Sequence, residues 1–424
     1  MKNTECIHAG YAPKNGESRQ IPIIQSTTFK YSSSEQMGKL FDLEESGYFY
    51  SRLTNPTCDM VAARIAKLEG GIGAMLTSSG QAAIFYAIVN ICSFGDHVIC
   101  ASEIYGGTLN LIGVTLKRFG IESTFISVNS TNEEIQAAIK DNTKLIFAES
   151  LSNPSLAVLD IERFAFMAHQ NKIPLIVDNT FATPINCNPI KWGADIVIHS
   201  ATKYLDGHSS ILAGVIVDSG NFDWEGSGKF SCLCEPDDSY HGIIYTKKFG
   251  KSAFLVKATV QLMRDIGACL PAHSAYLLGI HIESLPLRVQ KHCFNALAIA
   301  NYLSKSQYVK NVNCPMLEDS KYHSLVQKYM PNGACGVISF ELCGTKEDAI
   351  KFLDSLKLIS ISTHVADAKS CILHPASHTH RQLNDEELEA AGVTHGLIRL
   401  SVGIEDEKDL ICDIDNALKN VFDK

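Results

Sequence analysis

Short apolar runs alternate with helical segments from Pro56 to about residue 217, and this alternation constrains the fold more than any other feature of the sequence. The runs predict strands, and the apolar spacing between them predicts helices. Strands that alternate with helices predict an α/β fold with a mostly parallel sheet covered by helices on both faces. The predicted strands cover residues 74–77, 97–100, 124–127, 144–148, 173–177, 195–198 and 213–217, and the predicted helices cover 59–68, 81–92, 109–119, 131–140 and 161–170.

The two ends of the chain follow different patterns. Residues 1–55 are irregular and rich in polar and turn residues, which predicts an extended arm that packs on a neighbouring subunit. After about Ser252 the sequence predicts long helices at 254–266 and 276–304, and then a mixed tail of strands and helices. Since 424 residues exceed a comfortable single core, we expect an α/β domain at 56–255 and a smaller α+β domain at 256–424.

Composition excludes several classes of partner. The formal charge of −9 argues against nucleic acid or anionic membranes as main partners. The longest apolar stretch, 82–92, is too short to cross a bilayer, and the amino terminus does not resemble a signal peptide. The 14 cysteines are scattered, so we expect reduced thiols and a cytoplasmic location. Only Cys232 and Cys234 form a close pair, so no metal site is predicted.

Reactive side chains follow two of the predicted strands. Lys203 comes shortly after the strand at 195–198 and is preceded by the hydroxyls of Ser200 and Thr202, while Asp178 directly follows the strand at 173–177. Each residue alone could be a surface charge or a turn. Together they supply an amine for imine formation, hydroxyls for a phosphate and a counter-ion for a pyridine nitrogen. These are the requirements of pyridoxal phosphate (PLP).

Three other features each have a functional and an ordinary interpretation. Tyr105, followed by two glycines, either stacks on a cofactor ring or packs on the surface. Arg399, in an apolar strand of the tail, either forms a salt bridge or captures a substrate carboxylate with both arms of its guanidinium. The histidines of the segment 374–380 are expected to pack rather than to bind metal, since no carboxylate or thiolate pattern accompanies them.

With these residues assembled, the chain resembles the cystathionine synthase and lyase family of PLP enzymes, which have the PLP-dependent transferase fold of type I. The resemblance runs nearly end to end. Three further stretches, 234–242, 272–278 and 374–380, resemble the O-acetylhomoserine sulfhydrylase branch of this family. The segments that carry the family resemblance are 50–57, 78–82, 105–108, 149–154, 177–180, 200–204 and 399–403.

The resemblance implies a role for each of these site residues. Lys203 would hold PLP covalently and catalyse proton transfer, and Asp178 would pair with the pyridine nitrogen. Tyr105 would stack on the ring and assist proton transfer. The cofactor's phosphate would be bound by Ser200, Thr202, Gly80 and Gln81. Tyr50 and Arg52 would reach the phosphate of the cofactor in an adjacent subunit. The substrate would be bound by Arg399, Asn153, Tyr50 and Thr363.

The resemblance also implies an activity, namely γ-replacement on O-acetyl-L-homoserine by sulfide or methanethiol, in a tetramer of two catalytic dimers. Methionine γ-lyase, cystathionine γ-lyase and cystathionine γ-synthase activities remain alternatives, as does a non-catalytic PLP-binding protein. Gly107 argues against a dedicated lyase, because methionine γ-lyases typically carry cysteine there. His364 and Ala366 stand where many sulfhydrylases have asparagine and glycine, which leaves the detail of the amino-acid pocket open.

Overall fold

A seven-stranded sheet forms the centre of the first part of the computed structural model, which describes residues 2–378 and 394–423. Its strands are β1 Gly73–Thr77, β2 His97–Ala101, β3 Glu122–Ile126, β4 Thr143–Glu149, β5 Leu175–Asp178, β6 Ile196–Ser200 and β7 Gly214–Asp218. The strand order is β1-β7-β6-β5-β4-β2-β3. Only β7 runs antiparallel to its neighbours, because no crossover helix separates it from β6. The predicted mostly parallel sheet is therefore confirmed.

Helices cover this sheet on both faces. Successive residues of a strand point to opposite faces, and β2, β5 and β7 are buried at every position. The α-helices of residues 2–266 are α1 Lys2–His8, α2 Ser34–Phe41, α3 Pro56–Glu69, α4 Gly80–Val89, α5 Gly106–Asn110, α6 Asn132–Ala138, α7 Ile161–Gln170, α8 Thr183–Asn186, α9 Trp224–Ser227, α10 Ser231–Cys234, α11 Tyr245–Phe249, α12 Ala253–Lys257 and α13 Arg264–Ile266.

A five-stranded sheet with its own apolar core forms the second part of the fold. Its strand order is β10-β11-β12-β9-β8. The predicted smaller α+β unit is thus present, but the predicted division at 255/256 falls inside α12 and stays a prediction. The elements of this part are α14 Ala272–Glu283, α15 Leu285–Leu303, β8 Val309–Asn313, α16 His323–Tyr329, β9 Val337–Leu342, α17 Lys346–Ser355, β10 Ser360–Ile361, β11 Cys371–Leu373, β12 Leu397–Ser401 and α18 Glu407–Phe422.

Four predicted segments differ from the structure. The helix predicted at 254–266 is α12, a π-helical stretch at 258–263 and α13. The arm at 1–55 contains α1 and α2, two short helices that local periodicity did not reveal. The helix predicted at 276–304 is two helices, because Pro286 in the first turn of α15 has no N–H to continue α14. The helix predicted at 109–119 is α5 followed by a π turn and a 3₁₀ turn. No helix within the described residues has the length and apolar character needed to cross a membrane.

The carboxyl ends of β4, β5 and β6 meet at one edge of the first sheet. Glu149 pairs in register with Asp178, and Asp178 pairs with Ile198. Ligands of parallel sheets bind beyond this edge. The fold therefore brings the polar residues that follow these strands to one place.

Candidate functional site

Lys203 lies in the turn that follows β6, where its backbone N–H donates to the carbonyl of Ser200 at 3.0 Å. Its amine, Nζ, lies 3.5 Å from Nδ1 of His364, which belongs to the second part of the fold. Burial, together with the charge of Arg399, lowers the pKa of Lys203 below its usual 10.5. A lysine with a lowered pKa is neutral more often and is a better nucleophile and base.

Asp178, the last residue of β5, is buried and is held by a neighbouring threonine. Its Oδ1 accepts hydrogen bonds from the N–H and the hydroxyl of Thr180. Oγ1 of Thr180 in turn accepts the N–H of Ser200 at 2.8 Å, so Thr180 joins the ends of β5 and β6. Burial raises the pKa of Asp178, and a cation beside the carboxylate would offset that cost.

Glu149, the last residue of β4, connects two loops at the same edge. One oxygen of its carboxylate accepts the N–H of Tyr105 at 2.8 Å, and the other accepts the N–H of Asn153 at 3.1 Å. Burial and the neighbouring Asp178 raise the pKa of Glu149 well above 4.5. Sequence reasoning did not give Glu149 a role, although an acid at a strand end beside Asp178 was a signal that could have found it.

The start of α4 faces Ser200 at very short range. A methyl group on Gly80 would lie 2.6 Å from Cβ of Ser200, so only glycine fits there. The first amides of α4 have no partner inside the helix and suit an anion. Thr202, also predicted to bind phosphate, has its hydroxyl engaged by the backbone of Ala213, whose N–H it accepts at 3.0 Å.

Arg399 on β12 approaches the site from the second sheet. Its Nη1 lies 3.5 Å from Oδ1 of Asn153, and its Nη2 donates to the carbonyls of Thr363 and His364 at 3.1 and 3.4 Å. Burial lowers its pKa. The structure therefore brings the predicted substrate residues Arg399, Asn153 and Thr363 together.

Tyr105 lies beside Gly107 and Gln81. Its ring is half exposed, and a methyl group on Gly107 would lie 2.5 Å from its Cε1 and 2.8 Å from Nε2 of Gln81. A larger residue at position 107 would therefore displace the Tyr105 ring and the Gln81 amide.

Tyr50 and Arg52 lie together in the arm, with the guanidinium of Arg52 5.1 Å from the centre of the Tyr50 ring. Tyr50 is 39% exposed and forms a strand-like bridge with Thr28. None of their described contacts is with Lys203 or Asp178. Within one chain, these two residues are not brought to the other predicted site residues.

The residues present at this edge fit PLP. At this edge, Oε1 of Gln81, Nε2 of His364 and Nε of Arg399 are buried and have no hydrogen-bond partner among the described residues. The space that a methyl group on Gly80 would fill lies between the start of α4 and Ser200. An amine, a buried carboxylate and a helix amino terminus thus border one region, as an aldehyde, a ring nitrogen and a phosphate require.

One group of potential metal ligands exists among the described residues. Ligand atoms of Asp206, His208 and His281 all lie within 4.8 Å of one another. Protein donors already occupy the Asp206 carboxylate, including Nδ1 of His281 at 2.7 Å and the hydroxyl of Ser210 at 2.8 Å. The rings of His374 and His378 lie edge to face with their centroids 6.5 Å apart, and His380 lies outside the described residues.

Comparisons with known proteins agree on one family. The family model "Cys/Met metabolism PLP-dependent enzyme" matches residues 3–419. An O-acetyl-L-homoserine sulfhydrylase of Leptospira meyeri is 41% identical over 428 residues, covering 99% of this chain and 96% of that protein. A homocysteine synthase of Schizosaccharomyces pombe is 43% identical over 416 residues, covering 97% of each. A crystal structure of an O-acetylhomoserine (thiol)-lyase of Campylobacter jejuni, which carries N'-pyridoxyl-lysine-5'-monophosphate, matches with a TM-score of 0.95 and 39% identity over 99% of both chains.

Proposed function

Because the chain belongs to the Cys/Met metabolism PLP-dependent enzyme family, we propose that it catalyses γ-replacement on O-acetyl-L-homoserine with sulfide or methanethiol. The Cγ–O bond breaks, a Cγ–S bond forms, and the products are acetate with homocysteine or methionine. The names of the similar proteins from Leptospira meyeri and Schizosaccharomyces pombe support this reaction.

One geometric observation supports the proposal most directly. The amine of Lys203 approaches the ring of His364, and the guanidinium of Arg399 donates to the carbonyl of the same residue. The amine for imine chemistry and the guanidinium for carboxylate recognition therefore both contact His364, one at its ring and the other at its carbonyl. An amino-acid substrate is the chemical class that this arrangement suits.

PLP, when bound, supplies an aldehyde for amines and a ring that withdraws electrons from the substrate's α-carbon. Lys203 would hold the aldehyde carbon, and the buried carboxylate of Asp178 would keep the ring nitrogen protonated. Ser200, with the amides of Gly80 and Gln81, would bind the phosphate. The hydroxyl of Thr202 would contribute if it exchanged its bond with Ala213.

The remaining residues bind the substrate and move its protons. Arg399 and Asn153 bind the carboxylate, and Thr363 supplies the carbonyl that orients Arg399. Nζ of Lys203 removes the proton from Cα, delivers it to the bound cofactor, and is then free to remove one from Cβ as acetate leaves from Cγ. After the thiol adds to Cγ, Lys203 returns protons to Cβ and Cα. Tyr105, whose ring is half exposed, assists proton transfer to or from Lys203 or the leaving group.

Product analysis tests this proposal. The purified protein, loaded with PLP, is incubated with O-acetylhomoserine and sulfide, methanethiol, cysteine or no thiol. We expect homocysteine with sulfide or methionine with methanethiol, and no turnover by the K203A variant. Release of 2-oxobutanoate without thiol would favour a γ-lyase, cystathionine formation would favour a γ-synthase, and no turnover with any acylhomoserine would favour a non-catalytic role.

We propose further that the arm at 1–55 completes the site of a neighbouring subunit, in a tetramer of two catalytic dimers. The arm exposes apolar side chains at Ile23, Phe41 and Tyr50, with exposed fractions of 42%, 48% and 39%. The R52A and K203A variants should each be inactive alone. Mixing them under refolding or exchange conditions should restore part of the activity, because a site that combines Lys203 of an R52A subunit with Arg52 of a K203A subunit carries neither substitution. Restoration no greater than the sum of the two variants would contradict the shared site.

A cytoplasmic location is also proposed. All 14 cysteines are free thiols, and several of them, such as Cys100 and Cys335, are fully buried. Free thiols in this number are typical of a reducing compartment. Cell fractionation with the native chain tests this location.

A further inference from the structure

His364 occupies the loop between β10 and β11 and contacts the catalytic lysine directly. Nδ1 of its ring lies 3.5 Å from Nζ of Lys203. The other ring nitrogen, Nε2, is buried and has no hydrogen-bond partner among the described residues. The ring therefore has one described hydrogen-bond partner, and that partner is the amine on which the proposed reaction depends.

The backbone, and not the ring, holds this loop in place. The N–H of His364 donates to Oγ of Ser362 at 3.2 Å, and its carbonyl accepts from Sγ of Cys371 at 3.0 Å. The N–H of Ala366 donates to Oγ of Ser401 at 2.8 Å. Replacing the imidazole leaves all of these bonds intact, so a change of ring can be tested without removing the loop's anchors.

Burial and the neighbouring Lys203 favour the neutral form of the His364 ring, whereas Asp367 and Asp206 act against it. Burial first, and then Lys203, lower the pKa of His364 below 6.5. The other charged groups that act on the ring are Asp367, Asp206 and Arg399, and the Cys371 thiol contacts its carbonyl. A neutral imidazole with its hydrogen on Nε2 offers Nδ1 as an acceptor, whereas an imidazolium has no acceptor.

We propose that His364 is a positioning residue for Lys203, whose amine it holds by accepting a hydrogen bond at Nδ1 whenever that amine is not bonded to the cofactor. The inference rests on the proposed function for its importance in turnover, because Lys203 is released each time a substrate amine takes its place. The productive state then requires both a neutral lysine and a neutral imidazole. Below the pKa values of both groups, two protons must leave before the amine can react in position.

Cofactor uptake and turnover test this inference with three variants. H364N keeps a side-chain acceptor that does not titrate, H364A removes the acceptor, and S362A removes a backbone anchor while it keeps the imidazole. The first measurement is the rate at which visible absorbance returns when PLP is added to each cofactor-free protein, as a function of pH. The second is kcat and KM of each holoenzyme, with circular dichroism as the check on folding.

We expect the logarithm of the uptake rate to rise more steeply with pH in the parent and S362A than in H364N and H364A, by up to about tenfold in rate over the range in which His364 loses its proton. Near pH 7.5, H364A should lose about tenfold in kcat with KM nearly unchanged, and H364N should stay within about threefold of the parent. Equal slopes in the parent and H364N would overturn the proposal. It would also be overturned if H364N were as impaired as H364A, or if S362A were as impaired as H364A.

The two measurements separate this inference from the proposed function. Uptake of PLP needs neither O-acetylhomoserine nor a thiol, so it reports on the pair His364–Lys203 even if the natural reaction is different. Product analysis of the parent protein tests γ-replacement without reference to His364. Failure of one therefore does not imply failure of the other.

Discussion

Arg399 is a half-buried cation whose described hydrogen-bond partners are all neutral. They are the side-chain oxygen of Asn153 and two backbone carbonyls, and Nε has no described partner. A buried charge without an anion is costly, and a substrate carboxylate would supply the missing anion with the two-pronged geometry that guanidinium prefers. The unfavourable burial in the free protein is thus consistent with a site prepared for its ligand.

The Arg399→Ala variant should raise KM for the amino-acid substrate far more than it lowers cofactor retention. A hydrogen bond to a charged group contributes about 1.5–3 kcal/mol, so we expect KM to rise roughly 10- to 150-fold. Steady-state kinetics and the visible absorbance of the holoenzyme measure the two effects. Arg399→Lys should fall between parent and Ala, because lysine keeps the charge but not the planar fork. An unchanged KM in the Ala variant would contradict carboxylate binding.

Neighbouring strand ends determine which of these residues meet. β4, β5 and β6 end side by side at Glu149, Asp178 and Ser200. Lys203 and Asp178 could be predicted from the sequence because strand periodicity and the residues just after a strand are local properties. The bond from Tyr105 to Glu149 spans 44 residues, and the approach of Lys203 to His364 spans 161. Such contacts depend on how separate elements pack, which a single sequence does not encode locally.

Glu149→Gln should impair catalysis without removing the cofactor. The glutamine keeps one acceptor oxygen, but its amide group would face one of the two backbone N–H donors that the carboxylate now accepts. The loops of Tyr105 and Asn153 would separate, so we expect kcat/KM to fall by about ten- to a hundredfold. Kinetics and PLP absorbance measure the change, and Glu122→Gln, at an exposed acid of β3, is the matched control. A variant with parental kcat/KM would show that the two loops do not need this carboxylate.

Gly80→Ala should weaken cofactor binding because of its position at the start of α4. The added methyl group would lie within 2.9 Å of three atoms of Ser200, so α4 or the end of β6 must move. We expect the dissociation constant of PLP to rise by at least about tenfold, as measured by fluorescence or absorbance titration. Gly38→Ala in α2 is the control, since a methyl group there meets nothing within 4 Å. Equal PLP affinity in the two variants would contradict the close approach.

The candidate active site and the buried carboxyl group of Asp218 lie at opposite edges of the first sheet. Because β7 runs antiparallel to β6, its last residue, Asp218, pairs with Ile196 at the start of β6. Asp218 therefore lies at the edge opposite Ser200 and Lys203. Its Oδ1 accepts the N–H of Gly220 at 2.8 Å, but its Oδ2 is buried and has no described partner. Residues at this edge can alter folding without touching the site.

Asp218 should make the free energy of unfolding fall as pH rises. Burial raises its pKa from 3.8 to about 7, so the folded state holds this proton where the unfolded state has released it. Its contribution to stability is complete below pH 3.8 and is lost as pH rises through about 7. Asp218→Asn, which keeps the acceptor for Gly220, should reduce the loss of stability between pH 5 and pH 8 by on the order of 3 kcal/mol.

Urea denaturation of the parent and the Asp218→Asn variant at both pH values measures this difference. Asp319→Asn, at an exposed position, controls for the change in net charge and should follow the parent. Turnover of Asp218→Asn should remain parental, since the substitution lies at the edge away from Lys203. If the variant and the parent lost equal stability between pH 5 and pH 8, the carboxylate would have to be ionised in the folded state throughout that range, and a partner for Oδ2 would then be required.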